Sequence, residues 1–301
     1  MRKLTFPSYA KLNLYLQVLS KRPDKFHNIK TLFERIDLSD TLSFTLRKDP
    51  RINVFSDSPQ LPRRSSRNLA YRSASILQER FGVRQGVDIG ITKRIPVGAG
   101  MGGGSSNAAT TLLALNKLWK LGLPRRTLLS LAAEIGSDVP FFIHDTPFAE
   151  AGGRGEKVRL LPRLSQKALW HVIAVPRVKV LTPRIYRGWD ELAKKAAKGP
   201  NAPLTTAKYS VRIPILALEK NDKILLGKAL FNSLQQVTCG LYPEVGRIAE
   251  ALRAWGAELV LMSGSGPAVF CICSSRKEAF SLVRRISENK TGWRVFAART
   301  R

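Results

Sequence analysis

The segment Pro96-Val97-Gly98-Ala99-Gly100-Met101-Gly102-Gly103-Gly104-Ser105-Ser106 places five glycines in seven residues, just ahead of an Ala- and Leu-rich stretch. Glycine admits positive φ and lets backbone N–H groups approach a ligand closely. The start of the following helix adds roughly half a positive charge, and Ser105 or Ser106 is placed to cap it. The segment therefore predicts an anion site suited to phosphate. A plain helix-capping turn would carry the entropic cost of five glycines without return.

Two phosphate motifs compete for this segment. A Walker A loop needs Lys directly before its Ser, and Gly104 stands there. The spacing G-x-G-x-x-G is met by Gly98, Gly100 and Gly103, but a dinucleotide site also expects an acid about 20 residues on. The stretch 117–126 holds none. Elsewhere, residues 9–19 alternate, with Leu12, Leu14, Leu16 and Val18 on one face and Lys11, Asn13, Tyr15 and Gln17 on the other. This predicts a half-buried strand with Lys11 and Asn13 pointing the same way. By itself, Lys11 reads as part of a solvated strand face. Asp138, in Ser137-Asp138-Val139-Pro140, reads locally as evenly an N-cap as a functional carboxylate.

The elements that must position these residues are legible in outline. After the first strand comes a charged turn at 21–25, then two strands over 29–46 broken near Ser39-Asp40. Helical spacing covers 67–81, and strand alternation covers 87–95. Helices are predicted over 106–121 and 126–135, the second ending at Gly136. The Gly- and Arg-rich stretch 151–164 is the candidate junction between domains 1–162 and 163–301. Beyond it come a strand at 169–175, a polar, Lys-rich mobile insertion at 188–208 and a helix at 244–255. Strands at 258–263 and 267–273 flank Gly264-Ser265-Gly266, and one more helix and strand close the chain. Helices and strands mix without a simple βαβ rhythm, which predicts an α+β chain of two domains.

Composition narrows the function classes. The chain has 301 residues and is 44% hydrophobic, enough for a sizeable core. The longest apolar runs fall far short of the ~20 residues that span a bilayer, so no membrane partner is expected. Three cysteines, Cys239, Cys271 and Cys273, give no disulfide framework, and a reducing, cytoplasmic setting fits. Cys271 and Cys273 read as core residues of a strand rather than a metal half-site. The net charge is +28, spread over both halves. Such a field attracts phosphorylated ligands and, in principle, nucleic acid. No RRM, KH or zinc-finger signature is present, so no specific nucleic-acid partner is expected.

The glycine segment closely resembles the phosphate loop of the GHMP kinases, and Leu261-Met262-Ser263-Gly264-Ser265-Gly266-Pro267 resembles their glycine turn near the C-terminus. Ala10-Lys11-Leu12-Asn13-Leu14 and Lys21-Arg22-Pro23-Asp24-Lys25-Phe26-His27 are more particular. They resemble the GHMP branch that acts on a cytidine-diphosphate-linked methylerythritol in the non-mevalonate isoprenoid pathway. Residues 135–142 and 151–156 are similar to that branch too. The resemblance implies a ribosomal-protein-like N-terminal α/β domain, a ferredoxin-like C-terminal domain and a cleft between them. A GHMP kinase of the homoserine or mevalonate type is the nearest alternative, and residues 22–27 argue against it.

The resemblance also implies roles. ATP and Mg²⁺ are the expected cofactors, and a small-molecule cytidine diphosphate compound the expected substrate, in a monomer or homodimer. Lys11 and Asp138 are implied as the catalytic pair. Pro96, Gly98, Gly100, Met101, Gly102, Gly103, Gly104, Ser105 and Ser106 are implied to bind ATP. Asn13, Ser263 and Gly264 are implied on the substrate side. Phe26 and Tyr186 are implied to sandwich the cytosine, with His27 on its edge. The metal ligands stay open, with Ser105 or Ser106 as hydroxyl candidates. Two departures stand out: the branch usually has Gly-Tyr where this chain has Lys25-Phe26, and Asn-Asp-Leu-Glu where it has Asn232-Ser233-Leu234-Gln235.

Overall fold

The computed structural model describes residues 3–61, 67–196 and 207–301. Eleven strands among them form two sheets. The first half supplies β1 (Lys3–Lys21), β2 (His27–Leu46), β3 (Ile52–Ser56), β4 (Val87–Thr92), β5 (Phe148–Gly152) and β6 (Lys157–Leu160). Its helices are α1 (Leu69–Phe81), α2 (Gly103–Leu118), α3 (Arg125–Ile135) and α4 (Val139–Ile143). The second half supplies β7 (Trp170–Val175), α5 (Thr182–Ala196), α6 (Arg212–Lys220), α7 (Lys223–Ala229), β8 (Phe231–Asn232), α8 (Gln235–Leu241), α9 (Pro243–Ala254), β9 (Leu259–Met262), β10 (Val269–Cys273), α10 (Arg276–Glu288) and β11 (Arg294–Arg299).

The larger sheet has the order β3-β4-β2-β1-β8, with the β5–β6 hairpin also paired to β2. The smaller is antiparallel, in the order β11-β7-β10-β9. Numbered along its own chain segment, that is the 4-1-3-2 order of a ferredoxin-like domain, as the resemblance implies. One apolar core lies between the first sheet and α1–α4, a second joins the two sheets, and a third fills the space between the second sheet, α5 and α8–α10. No helix among the described residues is long and apolar enough to cross a membrane.

Several expectations need correcting. Residues 29–46 are one strand, not two. The predicted break near Ser39-Asp40 is a register irregularity opposite Tyr9/Ala10 that bends β2 without ending it. The Gly-rich stretch after 151 forms the turn and second strand of a hairpin in the first sheet, and the expected division at 162/163 falls just beyond it. Helix α3 does end at Gly136, which stands in extended backbone, φ −179°. Helix α5 runs to Ala196 through the start of the supposed insertion, and positions 197–206 lie outside the described residues. Charge alone predicted a loop there. The apolar positions Ile185, Trp189 and Leu192 override it by packing into the third core.

Candidate active site

Strand β1 carries Lys11 and Asn13 on one face, as alternation requires, but that face is not solvated: Lys11 is 3% exposed and Asn13 2%. It floors a cleft of about 1070 Å³. The Lys11 backbone N–H donates to the Met101 carbonyl at 3.0 Å, so the glycine loop lies against the strand. The Lys11 ammonium donates to Asn13 Oδ1 at 2.5 Å, lies 5.1 Å from the Phe33 ring centroid and stands 3.5 Å from Asp138 Oδ2. Burial pulls the Lys11 pKa below its ordinary 10.5, and the Asp138 charge opposes that shift. Asn13 is the bracket, since its amide also donates to Thr31 Oγ1 at 2.8 Å.

Asp138 occupies the position ahead of α4, yet its side chain makes no capping hydrogen bond. The N-cap reading is therefore overturned: the carboxylate turns to Lys11 instead. The turn between β5 and β6 closes beside it, with a Cβ at Gly155 falling 3.5 Å from Asp138 Oδ1. Arg154, in that turn, lies over the Phe26 ring at 5.0 Å.

The loop runs from β4 into α2, whose first helical residue is Gly103. Ser105 and Ser106 fall inside the first turn, and no side chain caps the helix. This corrects the capping role expected of them. The uncapped end of a 16-residue helix faces the cleft, which strengthens the anion-site reading. Ser105 lines the cleft, whereas Ser106 is 2% exposed and accepts a hydrogen bond from Ser8 at 2.7 Å. The structure thus places Ser106 in the interior.

Gly100 meets the second glycine turn. A Cβ there would land on the Ser263 carbonyl oxygen, and its φ is +77°. Ser263 is fully buried and donates to the Gly100 carbonyl at 3.1 Å, so it fastens the two turns together and does not line the cleft. Gly264 does line it. The third fastening is Asp40, which accepts from the Arg94 and Ile95 N–H groups at 2.9 Å each and pairs with Lys93.

A chain of contacts orders the cleft. Gly104 neighbours Leu69; Gly103 neighbours Lys93; Gly102 neighbours Lys11. Lys11 meets Asp138, and the Asp138 charge, after burial, helps push the Tyr186 hydroxyl pKa upward. Tyr186 stacks on His27 with centroids 4.9 Å apart and 28° between planes. His27 Nε2 lies 2.6 Å from Asp190 Oδ1, and Lys21 holds the other oxygen at 2.5 Å. One end is thus the glycine loop and the other an aromatic pocket, with Lys11 and Asp138 between.

Of the residues expected from sequence, the cleft brings together Lys11, Asn13, Phe26, His27, Pro96, Gly98, Gly100, Met101, Gly102, Gly103, Gly104, Ser105, Asp138, Tyr186 and Gly264. Tyr186 has His27 as its stacking partner, and Phe26, half exposed, has Arg154. Missed were Lys93, Arg154 and Asp190. Asp190 stands four residues after Tyr186 on α5, so both share one helix face, a signal hidden when 188–208 reads as an insertion.

The departures also find structural meaning. Lys25 has φ +67°, a conformation glycine adopts freely, which accounts for the usual Gly at this position. Ser233 Oγ accepts from the Val18 N–H at 3.1 Å and Gln235 Oε1 from the Met262 N–H at 2.9 Å. Neutral oxygens there accept hydrogen bonds without the two carboxylates.

Comparison with known proteins agrees with this geometry. The GHMP kinases N terminal domain matches residues 68–146 and the GHMP kinases C terminal domain matches residues 215–291. A 4-diphosphocytidyl-2-C-methyl-D-erythritol kinase of Shouchella clausii is 42% identical over 99% of this chain and 94% of its own. One from Geobacillus kaustophilus is 41% identical over 99% and 97%. A crystal structure of 4-(cytidine 5'-diphospho)-2C-methyl-D-erythritol kinase superposes with a TM-score of 0.76 at 33% identity, covering 98% of both chains. A homoserine kinase from Cytophaga hutchinsonii, at 19% identity and TM-score 0.73, shares the fold. With its two-domain architecture, its uncapped glycine loop and these full-length relatives, the chain belongs to the 4-diphosphocytidyl-2-C-methyl-D-erythritol kinase family of GHMP small-molecule kinases.

Proposed function

We propose that the chain transfers the γ-phosphoryl group of ATP to the tertiary 2-hydroxyl of 4-diphosphocytidyl-2-C-methyl-D-erythritol, the step its relatives' names and the non-mevalonate isoprenoid pathway imply. The observation that carries this reading is the meeting of Lys11 and Asp138, 3.5 Å apart, between the glycine loop and the aromatic pocket. In one cleft, ATP phosphates lie on the loop N–H groups and the first turn of α2, and the cytidylyl end reaches Phe26, His27 and Tyr186. We place the division between the ATP-binding and C-terminal domains at 162/163, and the enzyme in the cytoplasm.

The reaction forms a bond between the substrate oxygen and γ-phosphorus and breaks the bond from γ-phosphorus to the β–γ bridging oxygen, releasing ADP. The hydroxyl proton passes to an Asp138 oxygen as the new bond forms. Lys11 stabilises charge on the phosphoryl oxygens in transit, in a site where burial strengthens the interaction. Asn13 holds the Lys11 ammonium in place.

Mg²⁺ fits this donor set in a sparse manner. No cluster of three metal-ligating side chains exists among the described residues, and Asp138 and Asp190 are the carboxylates lining the cleft. Asp190 is occupied by Lys21 and His27. Magnesium accepts such a setting, because it keeps waters and takes few protein ligands besides phosphate. Ser105, together with waters, would hold it beside the phosphates, and the ion would neutralise phosphate charge.

ADP release tests the function. Turnover is expected with the cytidine-diphosphate-linked methylerythritol and not with free methylerythritol phosphate, homoserine or mevalonate. Faster turnover of any of the other three alcohols would contradict the reading.

A further inference from the structure

Histidine 27 is buried at 6% exposure, stacked on Tyr186 and held edge-on by Trp189 with centroids 5.7 Å apart. Its Nε2 lies 2.6 Å from Asp190 Oδ1. A carboxylate only accepts hydrogen bonds, so Nε2 carries a proton. Lys21 sits on Asp190 Oδ2 at 2.5 Å. That ammonium balances the carboxylate charge, so the pair needs no second proton on the imidazole. The Asp190 carboxyl itself lies below the usual range: burial would raise it, and the hydrogen bonds from Lys21 and His27 outweigh burial. The other ring nitrogen, Nδ1, has no hydrogen bond among the described residues. Unlike Nδ1 of His144 and His171, it is not sealed from solvent. His27 lines the cleft, so Nδ1 presents its lone pair there.

We infer that Asp190, through His27, is the positioning residue that makes this site select a cytidylyl over a uridylyl group. The inference rests on the proposed function. A neutral imidazole fixed with its proton on Nε2 offers only an acceptor to the cleft. Cytosine presents an exocyclic amine, a donor, on its Watson–Crick edge. Uracil presents a carbonyl oxygen at the same place, and two lone pairs would face each other. Leaving a buried acceptor unpaired lowers affinity by roughly 10- to 100-fold, which sets the expected discrimination. Because His27 is wedged between Tyr186 and Trp189, the ring cannot flip to exchange its nitrogens without displacing both. Asp190 does not touch the base and acts by fixing which nitrogen carries the proton.

The chain has three histidines, so ¹⁵N-histidine spectra resolve His27 directly. In the wild-type protein the His27 signal is expected to show a protonated Nε2 and a bare Nδ1, and CDP is expected to bind at least tenfold more tightly than UDP. Asp190→Asn and Asp190→Ala are expected to give a tautomer mixture and to shrink the CDP-to-UDP preference about tenfold. They should also raise KM for the cytidylyl substrate by more than they lower kcat. Asp190→Glu should restore the preference in part. A wild-type signal with the proton on Nδ1 would overturn the inference, with no variant required. So would an undiminished preference in Asp190→Ala. If the wild type prefers CDP and phosphorylates the cytidylyl substrate while Asp190→Ala keeps that preference, this inference alone fails. If the wild type binds CDP and UDP alike and turns over neither diphosphate-linked alcohol, the proposed function fails with it.

Discussion

Lys11 on the first strand and Asp138 just before a short helix meet at 3.5 Å, and the lysine is almost wholly removed from solvent while the carboxylate remains 30% exposed. Nothing in the local sequence of either residue requires the contact. Strand β1 sets the Lys11 direction, Asn13 fixes the ammonium, and α4 turns back beneath the glycine loop to bring Asp138 to it. An ammonium buried against one partly exposed carboxylate is poorly compensated, as its downward pKa shift records. That is a setting for charge arriving on a substrate.

The first prediction concerns that shift. Burial lowers the folded-state pKa of Lys11, so the folded chain loses this proton before the unfolded chain does. Protonated Lys11 therefore costs stability below its folded pKa, and the cost disappears as pH rises toward 10.5. Asp138 opposes the shift, so Asp138→Asn should lower the Lys11 pKa further. The pH dependence of Lys11 acylation, read by peptide mass spectrometry, should show a midpoint below 10.5 that moves down in the variant. An upward movement would contradict the coupling.

The second prediction separates two glycines. At Gly100 a Cβ meets the backbone of the Ser263 turn, so Gly100→Ala should destabilise the fold by about 2 kcal/mol or more. At Gly104 the nearest atom is Leu69 Cδ1 at 3.7 Å and the backbone is helical, so Gly104→Ala should hold or raise stability by up to about 1 kcal/mol. Its methyl enters the cleft, so the ATP KM should rise. Thermal melts and ATP titrations check both, and unchanged ATP kinetics in Gly104→Ala would remove the phosphate from this end of α2.

The third prediction concerns Lys25. Its left-handed conformation costs about 1–2 kcal/mol for a residue with a Cβ, offset by the extra unfolded-state freedom glycine brings, about 0.5–1 kcal/mol. Lys25→Gly should therefore gain up to about 1 kcal/mol, seen as a rise in Tm. Lys25 also lines the cleft, so the same variant should bind the diphosphate substrate less tightly. A fall in Tm would contradict the strain argument.

How far the sequence carried the reading depended on whether the signal was local. The glycine loop and the strand direction of Lys11 and Asn13 were local, and both appear where periodicity placed them. The burial of the Lys11 face was not, because alternation reports a polar face without saying what covers it. Asp138 was ambiguous for the same reason, since an N-cap and a cleft carboxylate look alike in four residues. Asp40 and Asp190 were passed over because their partners, the backbone at 94–95 and His27, are distant in sequence. The helix through 188–196 was hidden by its lysines, which face outward while Trp189 and Leu192 pack inward.

The fourth prediction addresses the aromatic pocket. Phe26 is 52% exposed, so Phe26→Ala should leave Tm nearly unchanged. It should weaken the cytidylyl substrate by roughly 1–3 kcal/mol, the worth of one base stack, and spare ATP. Tyr186→Ala also removes the ring that His27 rests on and should weaken the same substrate at least as much. Isothermal titration with each ligand checks this, and equal losses for ATP and the cytidylyl compound would place both rings outside substrate recognition.

The central claim is that Asp138 accepts the substrate proton beside Lys11. Asp138→Asn keeps the size and polarity of the side chain but cannot take that proton. The direct test is the single-turnover rate of phosphoryl transfer in this variant, with both substrates saturating. The account predicts a fall of roughly 10²–10⁴ with substrate affinities little changed. A wild-type rate in Asp138→Asn would contradict it.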